Sequence, residues 1–139
     1  MQRNSRPIRA TGGCLCGAVR YEVRGALRGV VNCHCSQCRR TSGHFVAATA
    51  TRKEDLVLTQ SRGLRWYRSS AKARRGFCAI CGSSLFWEPT AGGRVAIMAG
   101  TLDSPTGLET IAQVFVEDAG DYYAISDTLP HLGEEDLDL

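Results

Sequence analysis

Seven cysteines are the residues of this 139-residue chain whose type and spacing could do chemistry. None stands alone. Cys14 and Cys16 form C-x-C, Cys33, Cys35 and Cys38 form C-x-C-x-x-C, and Cys78 and Cys81 form C-x-x-C. The count is odd and no export signal precedes them, so a disulfide framework explains the pattern poorly; short-spaced cysteines are what metal ligands look like. A closed zinc site takes four ligands in a tetrahedron, commonly as two short pairs from separate hairpins. Cys14/Cys16 and Cys78/Cys81 meet that description. Gly12, Gly13 and Gly17 flank one pair and Gly76 and Gly82 the other, the small residues that let backbone N–H groups reach the sulfurs. A zinc on these four would clip the two halves of the chain together and contribute folding energy directly.

Cys33, Cys35 and Cys38 remain. Positions i and i+2 of an extended segment point the same way, so Cys33 and Cys35 can share a metal, with Cys38 returning across Ser36 and Gln37. Three protein ligands and an open fourth position describe a reactive zinc. His34 lies between two ligands, and the same alternation turns its ring away, as a support or pocket residue; ligation after loop rearrangement is the other reading. Spacing leaves further alternatives open: Cys33/Cys35 joining Cys14/Cys16, two purely structural zincs with a His or Asp completing the second, or free thiols. Three thiolates make zinc a weaker Lewis acid than three neutral His, so its bound water should be less acidic than the value near 7 of the His-ligated case. A fourth soft ligand suits the site better. A coordinated thiol is deprotonated, which points to addition of sulfur to a carbonyl, or the reverse. Arg39 and Arg40 follow directly and could grip carboxylates, or be ordinary solvated charges. Thr41, Ser42 and Gly43 add hydroxyls and backbone N–H groups. Lys72, Arg74 and Arg75 read as a solvated face, and Trp66, Tyr67, Phe86 and Trp87 as core or pocket wall.

The elements that must position these residues read as short strands. After Gly17 the pattern alternates, with Val19, Tyr21 and Val23 on one face and Arg20, Glu22 and Arg24 on the other, so residues 12–24 are expected to be a strand. Further strands are expected over 45–51, 64–68, 74–78, 83–88, 94–99 and 111–116, and residues 30–35 as a short apolar lead into the triple-cysteine loop. Residues 53–58 fit either a helical turn or a strand, and 121–132 hold a helical turn. Residues 1–11 read as a flexible arm, 12–132 as one zinc-binding domain, and 133–139 as an acidic tail that frays. Many short strands with glycine turns imply a mainly β fold. Hydrophobic residues are 43% and charged residues 22%, an ordinary globular balance. No apolar run approaches the about 20 residues a membrane helix needs, and the Arg-rich start lacks a signal-peptide core, so a cytoplasmic location is expected. All 17 Lys and Arg lie at or before Arg94 against four acids, a net +13, while the later residues carry ten acids and no base. Two zinc ions on seven thiolates would bring the overall +3 to about 0.

Three blocks stand in order: Gly12-Gly13-Cys14-Leu15-Cys16-Gly17-Ala18-Val19-Arg20-Tyr21, Cys33-His34-Cys35-Ser36-Gln37-Cys38-Arg39-Arg40-Thr41-Ser42-Gly43, and Gly76-Phe77-Cys78-Ala79-Ile80-Cys81-Gly82-Ser83-Ser84-Leu85. Together they closely resemble the glutathione-dependent formaldehyde-activating family, which also includes the centromere-protein-V relatives. The resemblance covers about Gly12 to Leu132. It implies a β-tent-like zinc fold of short antiparallel strands, a structural zinc on Cys14, Cys16, Cys78 and Cys81, and a catalytic zinc on Cys33, Cys35 and Cys38. It implies carbon–sulfur lyase chemistry joining formaldehyde and glutathione into S-hydroxymethylglutathione, and the reverse. Where relatives often show a His before the apolar strand and a Trp after it, this chain has Gln113 and Tyr122-Tyr123.

The leading expectation is therefore a zinc-dependent carbon–sulfur lyase with two zincs per chain, taking a thiol such as glutathione and a small aldehyde. Cys33, Cys35 and Cys38 would hold the catalytic zinc, and Arg39, Arg40 and Thr41 would bind substrate. Ser42, Thr41 or His34 would hydrogen-bond the carbonyl oxygen or carry its proton. A non-enzymatic zinc module for protein or nucleic acid is the alternative, given the +13 stretch. Scattered rather than striped basic residues weigh against nucleic acid. A thiol-based metal or redox sensor is a third.

Overall fold

The structure is a computed structural model and describes residues 6–133. It is mainly β, with two sheets and one short helix. A three-stranded sheet has the order β1 (Ala10–Gly13), β2 (Arg20–Val23), β5 (Leu56–Gln60). The second sheet contains β3 (Val30–Cys33), β4 (Val46–Arg52), β6 (Leu64–Ser70), β7 (Ala73–Cys78), β8 (Ser84–Pro89), β9 (Arg94–Met98), β10 (Thr110–Val114) and β11 (His131–Leu132). Its order is β11-β10-β3-β4-β9-β8-β7-β6. Pairing is antiparallel except at β10, which runs parallel to both β3 and β11.

The alternating run behaves as its pattern demands. Val19, Tyr21 and Val23 are buried, while Glu22 pairs with Arg24 at 2.8 Å and Arg20 with Asp103 at 2.6 Å. The run is two strands rather than one. β1 and β2 are antiparallel and the segment holding Cys14 and Cys16 is the turn between them. β4 is central, between β3 and β9, and has Val46, Ala48, Thr49, Ala50 and Thr51 buried, a strand covered on both faces. Its threonine hydroxyls are satisfied by the carbonyls of Arg28 and Ala26, as buried polar groups require.

The main core lies between the sheets, where Val19, Tyr21 and Val23 meet Leu85, Phe86, Val95 and Ile97. Two smaller clusters flank the triple-cysteine segment: Val46, Ala48 and Met98 on one side, and Val31, Ala112 and Val114 on the other, with Cys33 packed against both.

Several local expectations change. Strand β1 begins at Ala10, inside the stretch read as an arm, because Arg9 N–H donates to Val23 O at 2.7 Å and the Arg6 guanidinium pairs with Asp55. Residues 53–58 split into a 3-10 turn (Lys53–Asp55) followed by β5. Over 121–132 there is no helical turn; the 3-10 turn there sits earlier, at Val116–Asp118, and β11 closes the segment. The segment after Cys35, read as a loop, is helix α1 (Ser36–Ser42). The acidic residues 134–139 lie outside the described residues. Among the described residues no helix is long and apolar enough to cross a membrane.

Candidate metal centres and functional site

The seven cysteines gather into two clusters, each with its ligand sulfurs within 4.8 Å of one another: Cys14, Cys16, Cys78 and Cys81, and Cys33, Cys35 and Cys38. This is the partition that the spacing argument favours. All seven are free thiols.

The four-cysteine cluster joins the two sheets. Cys14 and Cys16 follow β1, and Cys78 ends β7. Each pair sits on a tight knuckle. Cys14 N–H donates to Val19 O at 3.0 Å, and Val19 N–H returns to Cys14 Sγ at 3.2 Å. Across the site, Cys78 N–H donates to Ser83 O at 2.9 Å and Gly82 N–H to Cys78 O at 2.7 Å. Gly17 and Gly82 hold the same left-handed place in the two turns, φ 86° and 82°, which a Cβ disfavours. Leu15 N–H donates to Ser83 Oγ at 3.1 Å, fastening one knuckle to the other. Cys14 Sγ and Cys16 Sγ are 3.7 Å apart, and Cys16 Sγ and Cys78 Sγ 3.8 Å. A tetrahedron with zinc–sulfur bonds of about 2.3 Å has edges of about 3.8 Å, so these sulfurs fit a zinc ion. Gly63 belongs to this centre too, which spacing did not show: a Cβ there would lie 2.8 Å from Cys78 Sγ.

The three-cysteine cluster is built from consecutive residues. Cys33 ends β3, Cys35 caps the N-terminus of α1, and Cys38 is buried within α1. Cys38 N–H donates to Cys35 Sγ at 3.3 Å. Gly43 ends the helix with φ 84°, its N–H bonded to Arg39 O at 2.7 Å. No fourth His, Cys, Asp or Glu joins this cluster among the described residues. Three soft donors within reach of one ion fit zinc with one position left for an outside ligand.

The thiols are electrostatically unequal without metal. Hydrogen bonds from Cys33, then from Cys38, hold Cys35 far below the usual thiol value, and the bond with Cys35 pushes Cys33 up. In the other cluster the Ser83 hydroxyl leads in lowering Cys81 to about 5. At Cys16 the Ala18 N–H pulls down, but burial and the bonds to Cys14, Cys81 and Cys78 prevail, leaving it at about 11. Each cluster thus contains a sulfur already inclined to be a thiolate, the form a metal binds.

The neighbouring residues are placed as follows. His34 is 1% exposed and lies outside the ligand set. Its Nε2–H faces Gln113 Oε1 at 2.7 Å, and Nδ1 meets the Tyr123 hydroxyl at 2.8 Å. Gln113 and Tyr123 are therefore the two partners of this ring. Phe115 precedes the turn toward Tyr123 with φ 55°, a left-handed conformation costing a bulky residue about 1–2 kcal/mol. Thr41 Oγ1 donates to Gln37 O at 2.9 Å and Ser42 Oγ to Cys38 O at 2.7 Å, so both hydroxyl protons go to the helix backbone. Arg40 is exposed and Arg39 half-buried, its Nε buried without a partner. Arg74 is half-buried over the Trp66 ring, 3.9 Å from its centre, and paired with Glu88 at 2.7 Å. Arg75, read with it as solvated, is buried, with Nη2 at 3.9 Å from Cys38 Sγ. A wide groove of about 610 Å³ lined by Arg9, Leu27, Leu108, Glu109 and Ile111 contains none of the cysteines.

Comparison with known proteins agrees with this geometry. The chain is 33% identical over 116 residues to an uncharacterized lyase of Schizosaccharomyces pombe, covering 81% of this chain and 82% of that one. Its fold is similar to the crystal structure of a Rhodobacter sphaeroides protein, with a TM-score of 0.58 and 26% identity, covering 88% of this chain and 99% of the other. Residues 9–118 match the family described as glutathione-dependent formaldehyde-activating enzyme, and the chain belongs to that family.

Proposed function

We propose that this protein is a zinc-dependent carbon–sulfur lyase acting on the adduct of a small thiol and a small aldehyde, of the S-hydroxymethylglutathione type. The observation that carries this reading is the three-cysteine cluster with no fourth protein ligand among the described residues. Membership of the formaldehyde-activating family and the lyase name of the yeast relative support it. Cys33, Cys35 and Cys38 would hold a zinc ion, which would supply a position favouring the thiolate form of an incoming thiol.

The chain's own residues supply the rest. Cys33 on β3 and Cys35 and Cys38 at the start of α1 fix the place where sulfur and carbonyl meet. In the forward direction the sulfur–carbon bond forms, and the proton given up by the thiol ends on the former carbonyl oxygen; the reverse breaks the same bond. Arg39 and Arg40 offer guanidinium groups to the carboxylates of a substrate such as glutathione. Thr41, with its proton committed to a helix carbonyl, keeps its lone pairs at an exposed position to receive a substrate hydroxyl, while Ser42 Oγ donates to Cys38 O and already accepts the His44 N–H. His34, held at both nitrogens, keeps the Cys33–Cys35 segment in place.

The test is metal stoichiometry on protein purified without chelator, followed by glutathione addition to a cobalt-substituted sample. Two metals per chain, and a change in the thiolate–cobalt absorbance with glutathione, are expected. Formaldehyde consumption with glutathione, followed by NMR, should then exceed the uncatalysed rate. Two metals with no response to any small thiol would overturn the lyase reading and favour a zinc module that binds a macromolecule.

A further inference from the structure

Arg75 is a buried charge that the proposed reaction does not use. It lies on β7 between β6 and β8, in register with Tyr67 and Trp87, and only 7% of its surface is exposed. A guanidinium stays charged when buried, and a charge removed from water needs an opposite charge beside it. Among the described residues no carboxylate lies within ion-pair distance of Arg75. Its Nη2 reaches Gln37 Oε1 at 3.3 Å and Cys38 Sγ at 3.9 Å, and its Nε is buried with no partner. The adjacent Arg74 shows the contrast, since it has both a carboxylate and an aromatic face to itself. The sulfur cluster is what Arg75 has in place of a carboxylate.

We propose that Arg75 is the charge partner of the three-cysteine centre, a positioning residue that balances its negative charge and holds Cys38 through α1. The inference rests on the metal-binding part of the proposed function and is independent of the lyase reaction. Three thiolates around a divalent ion sum to −1, and one buried guanidinium brings the group to neutrality. The contact to Cys38 Sγ also draws electron density from that sulfur, so the ion keeps more of its Lewis acidity than three unassisted thiolates would leave it. Gln37 contributes by taking an Arg75 N–H on Oε1 while its own amide donates to Ser69 O at 3.3 Å, which ties the first turn of α1 to the sheet.

The experiment compares wild type, Arg75→Met and Arg75→Lys. Zinc affinity at each site is measured by chelator competition, and thiolate–cobalt charge-transfer bands are recorded on cobalt-loaded protein. Loss of an outer partner of metal ligands typically costs about 10–100-fold in metal affinity. Arg75→Met is expected to weaken the second metal by that factor while the first is unchanged. Its charge-transfer band should move to lower energy, because Cys38 becomes the richer donor. Arg75→Lys, which keeps the charge and loses the fork, should fall between. Unchanged affinity and band position in Arg75→Met would overturn the proposal. Should that variant not fold, Arg75→Lys decides alone: a band and affinity identical to wild type overturn it, and a partial shift supports it. Neither readout involves an aldehyde, so a wild type inert toward glutathione breaks the lyase reading and leaves this one standing.

Discussion

The four-cysteine cluster takes its sulfurs from two knuckles, with Cys16 and Cys78 62 positions apart, whereas the three-cysteine cluster takes its sulfurs from six consecutive residues. The first therefore exists only when β1 and β7, members of different sheets, have come together. The second needs little more than the end of β3 and one helical turn. Closing a long loop costs entropy that the unfolded chain keeps, so metal binding at the first cluster would act as folding energy, while metal binding at the second would ask little of the fold. The surroundings follow the same division. Cys78 is fully buried and Gly63 is pressed against its sulfur. The helix that carries Cys38 presents Arg40, Thr41 and Ser42 to solvent, and exposed His44 follows it.

The most severe way to break this comparison is Cys78→Ser. It leaves three ligands at the joint between the sheets and a hydroxyl in a fully buried site. Structural zinc supplies about 10–16 kcal/mol in small zinc peptides at neutral pH, and a domain is stable by about 5–15 kcal/mol. Loss of the cooperative thermal transition is expected, read by circular dichroism. A variant that retains its melting temperature would show that the sheets do not depend on this centre.

Cys35→Ser probes the other side. Cys35 is both ligand and helix cap, so the second metal should be lost and lyase turnover with it. A serine hydroxyl can still accept the Cys38 N–H, so the fold and the first metal should remain. Metal content near one per chain with an unchanged melting temperature is the expected pair of readings. Chelator titration of wild type should give the same order, with the three-cysteine metal leaving first and the transition temperature falling only when the four-cysteine metal follows. Simultaneous loss of both metals would erase the distinction between the centres.

How much of this was legible in the sequence follows from the range of the interactions involved. The alternation of Val19, Tyr21 and Val23 and the glycines beside the cysteine pairs are local signals, and both led to the right face and the right grouping. Helix α1 was hidden because Ser-Gln-Cys-Arg-Arg-Thr-Ser has no run of strong helix formers; its ends are made by a cysteine cap and a left-handed Gly43. The role of Arg75 was hidden because a run of basic residues reads as a solvated face, and only packing separates Arg74 from its buried neighbour. The partners of His34 lie 79 and 89 positions away, beyond any spacing argument. The strand beginning at Ala10 was missed because its pairing comes from Val23 and Glu22, not from its own weak pattern.

Gln113→Leu gives a smaller effect of a different kind. It removes the acceptor of the His34 Nε2–H and leaves a buried donor unpaired, at a cost of about 1–3 kcal/mol. Because His34 sits between Cys33 and Cys35, the second metal should loosen while the first does not. Differential chelator competition checks this, together with the melting temperature. Equal loosening at both sites would mean that His34 supports the fold in general and not the three-cysteine segment.

The finest comparison uses two glycines with the same backbone and different positions. Gly17 and Gly43 both adopt left-handed φ, 86° and 84°, and a Cβ at either would meet nothing within 4 Å. Alanine at each therefore imposes conformational strain alone, about 1–2 kcal/mol. At Gly17 that strain falls on the knuckle of the centre that joins the sheets, so Gly17→Ala should lower the melting temperature by several degrees, since about 1 kcal/mol moves a domain of this size by roughly 2–8 °C. At Gly43 it falls on the end of a seven-residue helix that can fray without parting the sheets. Gly43→Ala should leave the melting temperature within a degree or two and appear instead as weaker binding of the second metal. Equal strain with unequal reach is what the different construction of the two centres requires, and equal shifts in both readouts would refute it.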